Sequence, residues 1–321
     1  MRDHGGNLDE AIARFGGERT AWVDLSTGIN RVPYPLTAFS GQALRDLPTR
    51  ADMLRLKEAA RAAYCTASAV LPVNGAQAAI QMIPRLSPPG TARVLSPTYN
   101  EHAASLRSAG WAVEEVTGLE QLAGADFAVV VNPNNPDSRS HAPGDLLALS
   151  GQVGTLVIDE SFCDAAPQLS LAARAGENGI VVLRSFGKFY GLAGLRLGFV
   201  LGSPEVVSRL EAMSGPWAVS GTAIEAGLAA LGDPMWRDAT IARLTQDAAH
   251  MDGLAHGAGW RFAGGTALFR LYETPDALAA QERLACGHVW SRVFPYSSSW
   301  IRLGLPGTED EWEQVERALK G

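Results

Sequence analysis

The chain has 321 residues, 46% hydrophobic and 19% charged, which is room for one large domain or two unequal ones around a substantial core. A formal net charge of −7, with no basic run and no stripe of mixed aromatic and basic residues, argues against nucleic acid or an anionic membrane as the main partner. Three scattered cysteines (Cys65, Cys163, Cys286) and six dispersed histidines without an HExxH or CxxC pair support neither a disulfide framework nor a metal site.

In chain order, "MRDHGGNLDEAIARFGG" is a polar start with no apolar signal core, and no later run is long enough to span a bilayer; a cytoplasmic protein is expected. "AVLPVNGAQAAIQMI" (69–83) reads as a turn into a helix. "ARVLSPTY" (92–99) reads as a strand ending at Ser-Pro, and "EHAASLRSAG" (101–110) as a helix closed by glycine. "DFAVVVNPNNP" (126–136) is an apolar strand running into turn residues, a design repeated in "GTLVIDES" (154–161) and "GIVVLRSF" (179–186). "LRLGFVLG" (195–202) is a further strand. From about residue 216 the texture changes: a long helical stretch (about 221–258), a strand in "WRFAGGTALFRLY", a last strand in "SWIRLGL" (299–305) and a terminal helix (309–320). The predicted organisation is an N-terminal arm (1–30), a large domain (31–215) and a small C-terminal α/β domain (216–321).

Strands apolar along their whole length and separated by helices imply a mostly parallel sheet covered on both faces, with ligands outside the carboxyl ends of the strands. The residues at and just beyond each strand end are therefore informative. Tyr99 follows one strand and Asn135 another; Asp159 ends a third; Ser185 and Lys188 follow a fourth. "NGAQ" opens a helix at Gly75 and Ala76, whose free N–H groups favour an anion. A lysine whose amine is neutral forms a Schiff base with an aldehyde. Ser185, backbone and Arg196 suit a phosphate, Asp159 suits a protonated ring nitrogen, Asn135 a ring hydroxylate, and Tyr99 a ring face. Together these describe a pyridoxal phosphate site. Taken singly, each has an ordinary reading: a surface lysine, an N-cap aspartate, an Asn-Pro turn, a packing tyrosine, a structural ion pair.

"SFGKFYGLAGLRLGF", "VNPNNPD" and "VIDESF" closely resemble the cofactor-lysine segment, the Asn-Pro turn and the ring-aspartate strand of the fold-type I class I/II aminotransferases. The resemblance covers nearly the whole chain. It implies the aspartate aminotransferase fold, an α/β large domain with a mostly parallel, seven-stranded sheet plus the smaller domain and arm. It also implies pyridoxal 5′-phosphate as cofactor, a homodimer, Lys188 as the Schiff-base lysine, and Asp159 as the partner of the pyridine nitrogen. Asn135 would meet the ring hydroxyl, Tyr99 the ring face, and Gly75, Ala76, Ser185 and Arg196 the phosphate. Arg302, in "WIRLGL", matches the arginine that clamps the substrate carboxylate.

"RDHGGNLDEAIARFG" followed by "VDLSTGINRVPYP" resembles the cobalamin-biosynthetic branch of that family, the L-threonine O-3-phosphate decarboxylases, which implies decarboxylation of a small phosphorylated amino acid to (R)-1-amino-2-propanol O-2-phosphate. His4 and Gly5 match the arm residues that meet the substrate, Gly28 lies where relatives often carry asparagine, and Arg292 in "WSRVFPY" matches an arginine that approaches the substrate phosphate. Read without the resemblance, "HGG" is a flexible turn. Phe162 stands where many aminotransferases have a tyrosine, and "LRDLPTR" has leucine where relatives often have a tyrosine that crosses a dimer. Two rival functions remain: a histidinol-phosphate-type aminotransferase, and a non-catalytic partner in corrinoid synthesis.

Overall fold

The structure is a computed structural model describing residues 4–320. These form two compact units: one of Tyr34–Asn135 and Arg139–Trp236, the other of the described residues before Tyr34, Pro136–Ser138, and those from Arg237 onward.

The first unit is built on seven strands: β1 (Ala69–Asn74), β2 (Thr91–Leu95), β3 (Ala112–Val116), β4 (Phe127–Val131), β5 (Thr155–Asp159), β6 (Ile180–Ser185) and β7 (Leu197–Gly202). Their order across the sheet is β1-β7-β6-β5-β4-β2-β3. Pairings are parallel from β6 to β3, and β7 alone runs against both its neighbours. β4 is buried at every position, as its unbroken FAVVV run requires of a strand covered on both faces. Leu71, Ile80, Leu106, Trp111, Phe127, Val157, Val181 and Val200 belong to one apolar cluster that seats helices Gly75–Met82 and Glu101–Ser108 against the sheet.

Two strands differ from the sequence reading. Residues 69–74 form β1 rather than a turn. Pro72 disguises it, because proline lacks the ladder donor, but β1 is an edge strand, where that loss is tolerated. β3, AVEEV, is the opposite edge; its two glutamates are exposed, so its composition reads as loop.

The second unit carries a four-stranded antiparallel sheet in the order Arg292–Phe294, Ser297–Gly304, Phe269–Glu273, Arg261–Thr266. The stretch expected as a single strand in "WRFAGGTALFRLY" is a hairpin, turning between Thr266 and Phe269. The long helical stretch divides at Gly232–Asp233 into Gly221–Leu231 and Pro234–Gly257, with proline at the first position of the second helix. Near the N-terminus, Leu8–Phe15 is an amphipathic helix whose Leu8, Ala11, Ile12 and Phe15 stripe packs on Trp22, Ala285 and Trp290. No described helix is long and apolar enough to cross a membrane.

Candidate functional site

Because β1 and β6 run in one direction and β7 in the other, the C-terminal ends of β1, β2, β4, β5 and β6 share an edge with the start of β7. Lys188, Asp159, Ser185, Tyr99 and Asn135 all follow or end strands on this edge, and Arg196 immediately precedes β7. β5 and β6 are adjacent, with Asp159 opposite Leu183, so the aspartate and the lysine leave neighbouring strand ends. Lys188 is the third residue of a short helical turn, Phe186–Phe189, and is half-buried between buried Gly187 and Phe189. Lysine occurs only at 57, 188 and 320. Lys57 pairs with Glu211 at 2.8 Å and Lys320 with Glu316 at 2.6 Å, both surface ion pairs.

Asp159 is 2% exposed, which would by itself push a carboxyl towards its neutral form. Burial does raise its pKa, but hydrogen bonds from His102 and Ser161 outweigh it, and the group is held below the usual carboxylate range. His102 Nε2 lies 2.8 Å from Oδ2, while Ser161 donates to Oδ1 from its backbone N at 2.9 Å and its hydroxyl at 2.5 Å. A carboxylate accepts only, so Nε2–H of His102 is the donor. The result is a buried carboxylate favoured in its ionised form, suited to a cationic ring nitrogen. Sequence reasoning missed both donors. The available signal was position: His102 lies one helical turn beyond Tyr99, and their rings meet edge to face at 6.2 Å. The Tyr99 hydroxyl in turn donates to Gln77 Oε1 at 3.2 Å.

At the start of helix Gly75–Met82 the backbone comes close to Arg196 and β7. Gly75 has φ +71°, and a Cβ there would fall 2.8 Å from an Arg196 guanidinium nitrogen. A Cβ on Gly198 would fall 2.5 Å from the Ala76 nitrogen. Arg196 itself adopts φ +54°, an unusual conformation for a residue with a Cβ. Two glycines and a strained arginine thus hold a guanidinium against the free N–H groups of a helix start, an arrangement that fits a phosphate dianion.

The second unit brings His4, Gly5 and Arg292 around one cavity of about 540 Å³, with Asn7, Ser26, Gln281 and Ser291 also on its wall. The arm is held there by contact too close for any side chain: a Cβ on Gly5 would lie 2.3 Å from the Ser26 carbonyl oxygen, and Gly6 N donates to Ser26 Oγ at 2.7 Å. Gly28 is buried and does not line the cavity; Arg302 does not line it either. Arg302 is instead the antiparallel partner of Arg292 and donates to the Ser26 carbonyl at 2.7 Å. Like charges directly opposite on neighbouring strands repel. Burial first, then Arg292, lowers the Arg302 pKa to about 10, while Tyr296 and Asp24 act the other way.

The aminotransferase class I and II family matches residues 49–320, and the chain belongs to that family. It is 43% identical over 311 residues to a threonine-phosphate decarboxylase of Sinorhizobium sp., covering 94% of this chain and 92% of the relative. It is 42% identical over 328 residues to a threonine-phosphate decarboxylase of Pseudomonas aeruginosa, covering 100% and 98%. Among solved structures, a histidinol-phosphate aminotransferase from Sinorhizobium meliloti in complex with pyridoxal-5′-phosphate superposes with a TM-score of 0.82 at 19% identity, covering 99% of this chain and 94% of that one. That likeness establishes the fold.

Proposed function

We propose that the protein is a pyridoxal 5′-phosphate-dependent enzyme that decarboxylates L-threonine O-3-phosphate to (R)-1-amino-2-propanol O-2-phosphate, a step of cobalamin biosynthesis. The observation that carries the cofactor is the ionised Asp159, buried yet triply hydrogen-bonded, one strand away from Lys188. The observations that carry the substrate are near-full-length identity of 42–43% to two threonine-phosphate decarboxylases and the opposed Arg292 and Arg302, which suit a substrate bearing two anionic groups.

The residues present fit the cofactor: a dianion cradle at Gly75, Ala76, Ser185 and Arg196, a carboxylate for its ring nitrogen, and an aromatic side chain in Tyr99 for its face. When bound, the cofactor supplies an aldehyde for a covalent bond to an amine and a cationic ring that draws electrons from the substrate's Cα. Lys188 Nζ is the amine that holds the aldehyde and, once released, moves protons at Cα. Asp159 would keep the ring nitrogen protonated; His102 and Ser161 keep Asp159 ionised and oriented. Asn135 would hydrogen-bond the ring's oxygen substituent. Arg302 holds the substrate carboxylate, orienting the bond that breaks, while His4, Gly5 and Arg292 receive the substrate phosphate. A homodimer is the assembly we assign, by analogy with the family.

The test is a product assay with threonine phosphate, serine phosphate, threonine and histidinol phosphate. Stoichiometric CO2 release from threonine phosphate without a keto-acid acceptor supports the reading. Amino transfer that requires an acceptor, and histidinol phosphate as the better substrate, would replace decarboxylation by the aminotransferase alternative.

A further inference from the structure

Within the second unit the N-terminal arm is anchored twice, and His4 lies just beyond the second anchor. The first anchor is apolar: helix Leu8–Phe15 packs through its stripe on Trp22, Ala285 and Trp290. The second is polar and takes Gly5 and Gly6. Glycine loses more backbone freedom on ordering than any other residue, so two in succession need a specific hold to stay in one place.

That hold is Ser26, which is 1% exposed. Its hydroxyl accepts from Gly6 N at 2.7 Å and donates to Asp24 Oδ1 at 2.6 Å. Asp24 Oδ1 also accepts from Ser26 N at 2.9 Å. A hydroxyl has one proton; with that proton committed to Asp24, only lone pairs face Gly6, as its N–H requires. Gly5 lies so close to the Ser26 carbonyl that a Cβ has no room, and the same carbonyl accepts from Arg302 at 2.7 Å. The backbone beneath is fixed independently of the arm: Leu25 N donates to Trp290 O at 2.8 Å, and Gly304 N to Leu25 O at 2.7 Å. The two roles of Ser26 are therefore separable. Loss of the hydroxyl releases the arm and leaves the carbonyl on Arg302.

His4, Gly5 and Arg292 line one cavity, with Ser26 on its wall. We propose that Ser26 and Asp24 form a latch that sets specificity for a phosphorylated substrate: the carboxylate aims the hydroxyl, the hydroxyl seats Gly5 and Gly6, and His4 is thereby held where the phosphate is received. Both act through the arm and are positioning residues. The proposal rests on the assignment of this cavity to the substrate phosphate. Ser26→Ala removes the latch. Asp24→Asn keeps an oxygen that accepts the same two bonds and is the conservative control.

Two measurements test it. In the cofactor-free protein, hydrogen exchange at the Gly6 amide should quicken about 10-fold or more in Ser26→Ala and stay near the parent rate in Asp24→Asn, with the helix from Leu8 unchanged in both. In the holoenzyme turning over threonine phosphate, the inhibition constant of inorganic phosphate should rise about 3- to 30-fold in Ser26→Ala. That of L-alanine, which carries the amine and the carboxylate but no phosphate, should stay within about twofold. Asp24→Asn should match the parent with both inhibitors. A parent that does not turn over threonine phosphate, or on which inorganic phosphate does not compete with it, defeats the phosphate reading of the cavity, whatever the exchange shows. A parent on which phosphate competes, with Ser26→Ala unchanged in exchange and in phosphate inhibition, or weakened equally towards phosphate and L-alanine, overturns the latch.

Discussion

The two polar sites handle charge in opposite ways. In the first unit, Asp159 is a buried charge supplied with three donors from two residues, so its ionisation is settled before any ligand arrives. In the second, Arg292 and Arg302 are like charges set opposite each other, and Arg302 is depressed to about 10 by burial and by its neighbour. One charge is supported by the hydrogen-bond donors around it; the other is held against burial and a like-charged neighbour. The first suits a resident cofactor, which stays through every turnover, and the second suits a substrate that must enter and leave.

The contrast is most severely tested at its catalytic end. Lys188→Ala should lower turnover by about 10⁴-fold or more, since it removes both the covalent anchor and the proton carrier. Thermal unfolding should change little, because the residue is half-buried on a short turn. Arg302→Met should lower kcat/KM roughly 10²- to 10³-fold, the scale of losing a buried charged contact. The apoprotein's melting temperature should hold or rise, because the substitution removes a buried like-charge neighbour. A melting temperature several degrees lower would mean that Arg302 is a structural ion-pair partner and not a waiting anion site.

His102→Leu should weaken cofactor binding about 10- to 100-fold, the worth of a hydrogen bond to a buried charge, while leaving substrate affinity of the loaded enzyme nearly unaltered. If instead KM alone moves, Asp159 is not the ring partner. The smallest effect concerns pH. Arg302 binds an anion only when charged, and a bound anion raises its pKa above the free value of about 10. The ratio of threonine-phosphate affinity in the parent to that in Arg302→Met, in which the substrate's own phosphate and amine titrations cancel, should therefore be flat below that pH and fall about tenfold per unit above it.

Much of the first unit was legible because covered parallel strands are apolar throughout and end in the residues that matter; β4, β5 and β6 announce themselves in this way. β1 and β3 escaped because edge strands admit proline and glutamate. That Lys188, Asp159 and Arg196 lie on one rim was legible from their order along the chain. His102 and Ser161 were not, because their roles come from what faces what across a helix turn or between strands. Nor was the opposition of Arg292 to Arg302 visible, since register is a property of the folded hairpin and not of either segment.

The most direct test of the account is reduction of the purified, cofactor-loaded protein with borohydride, followed by peptide mapping. With lysine at only three positions, the assignment has few alternatives. The account predicts one pyridoxyl group per chain, on Lys188, with Lys57 and Lys320 unmodified. A label on either of those, or a protein that takes up no pyridoxal phosphate and yields none, would contradict it.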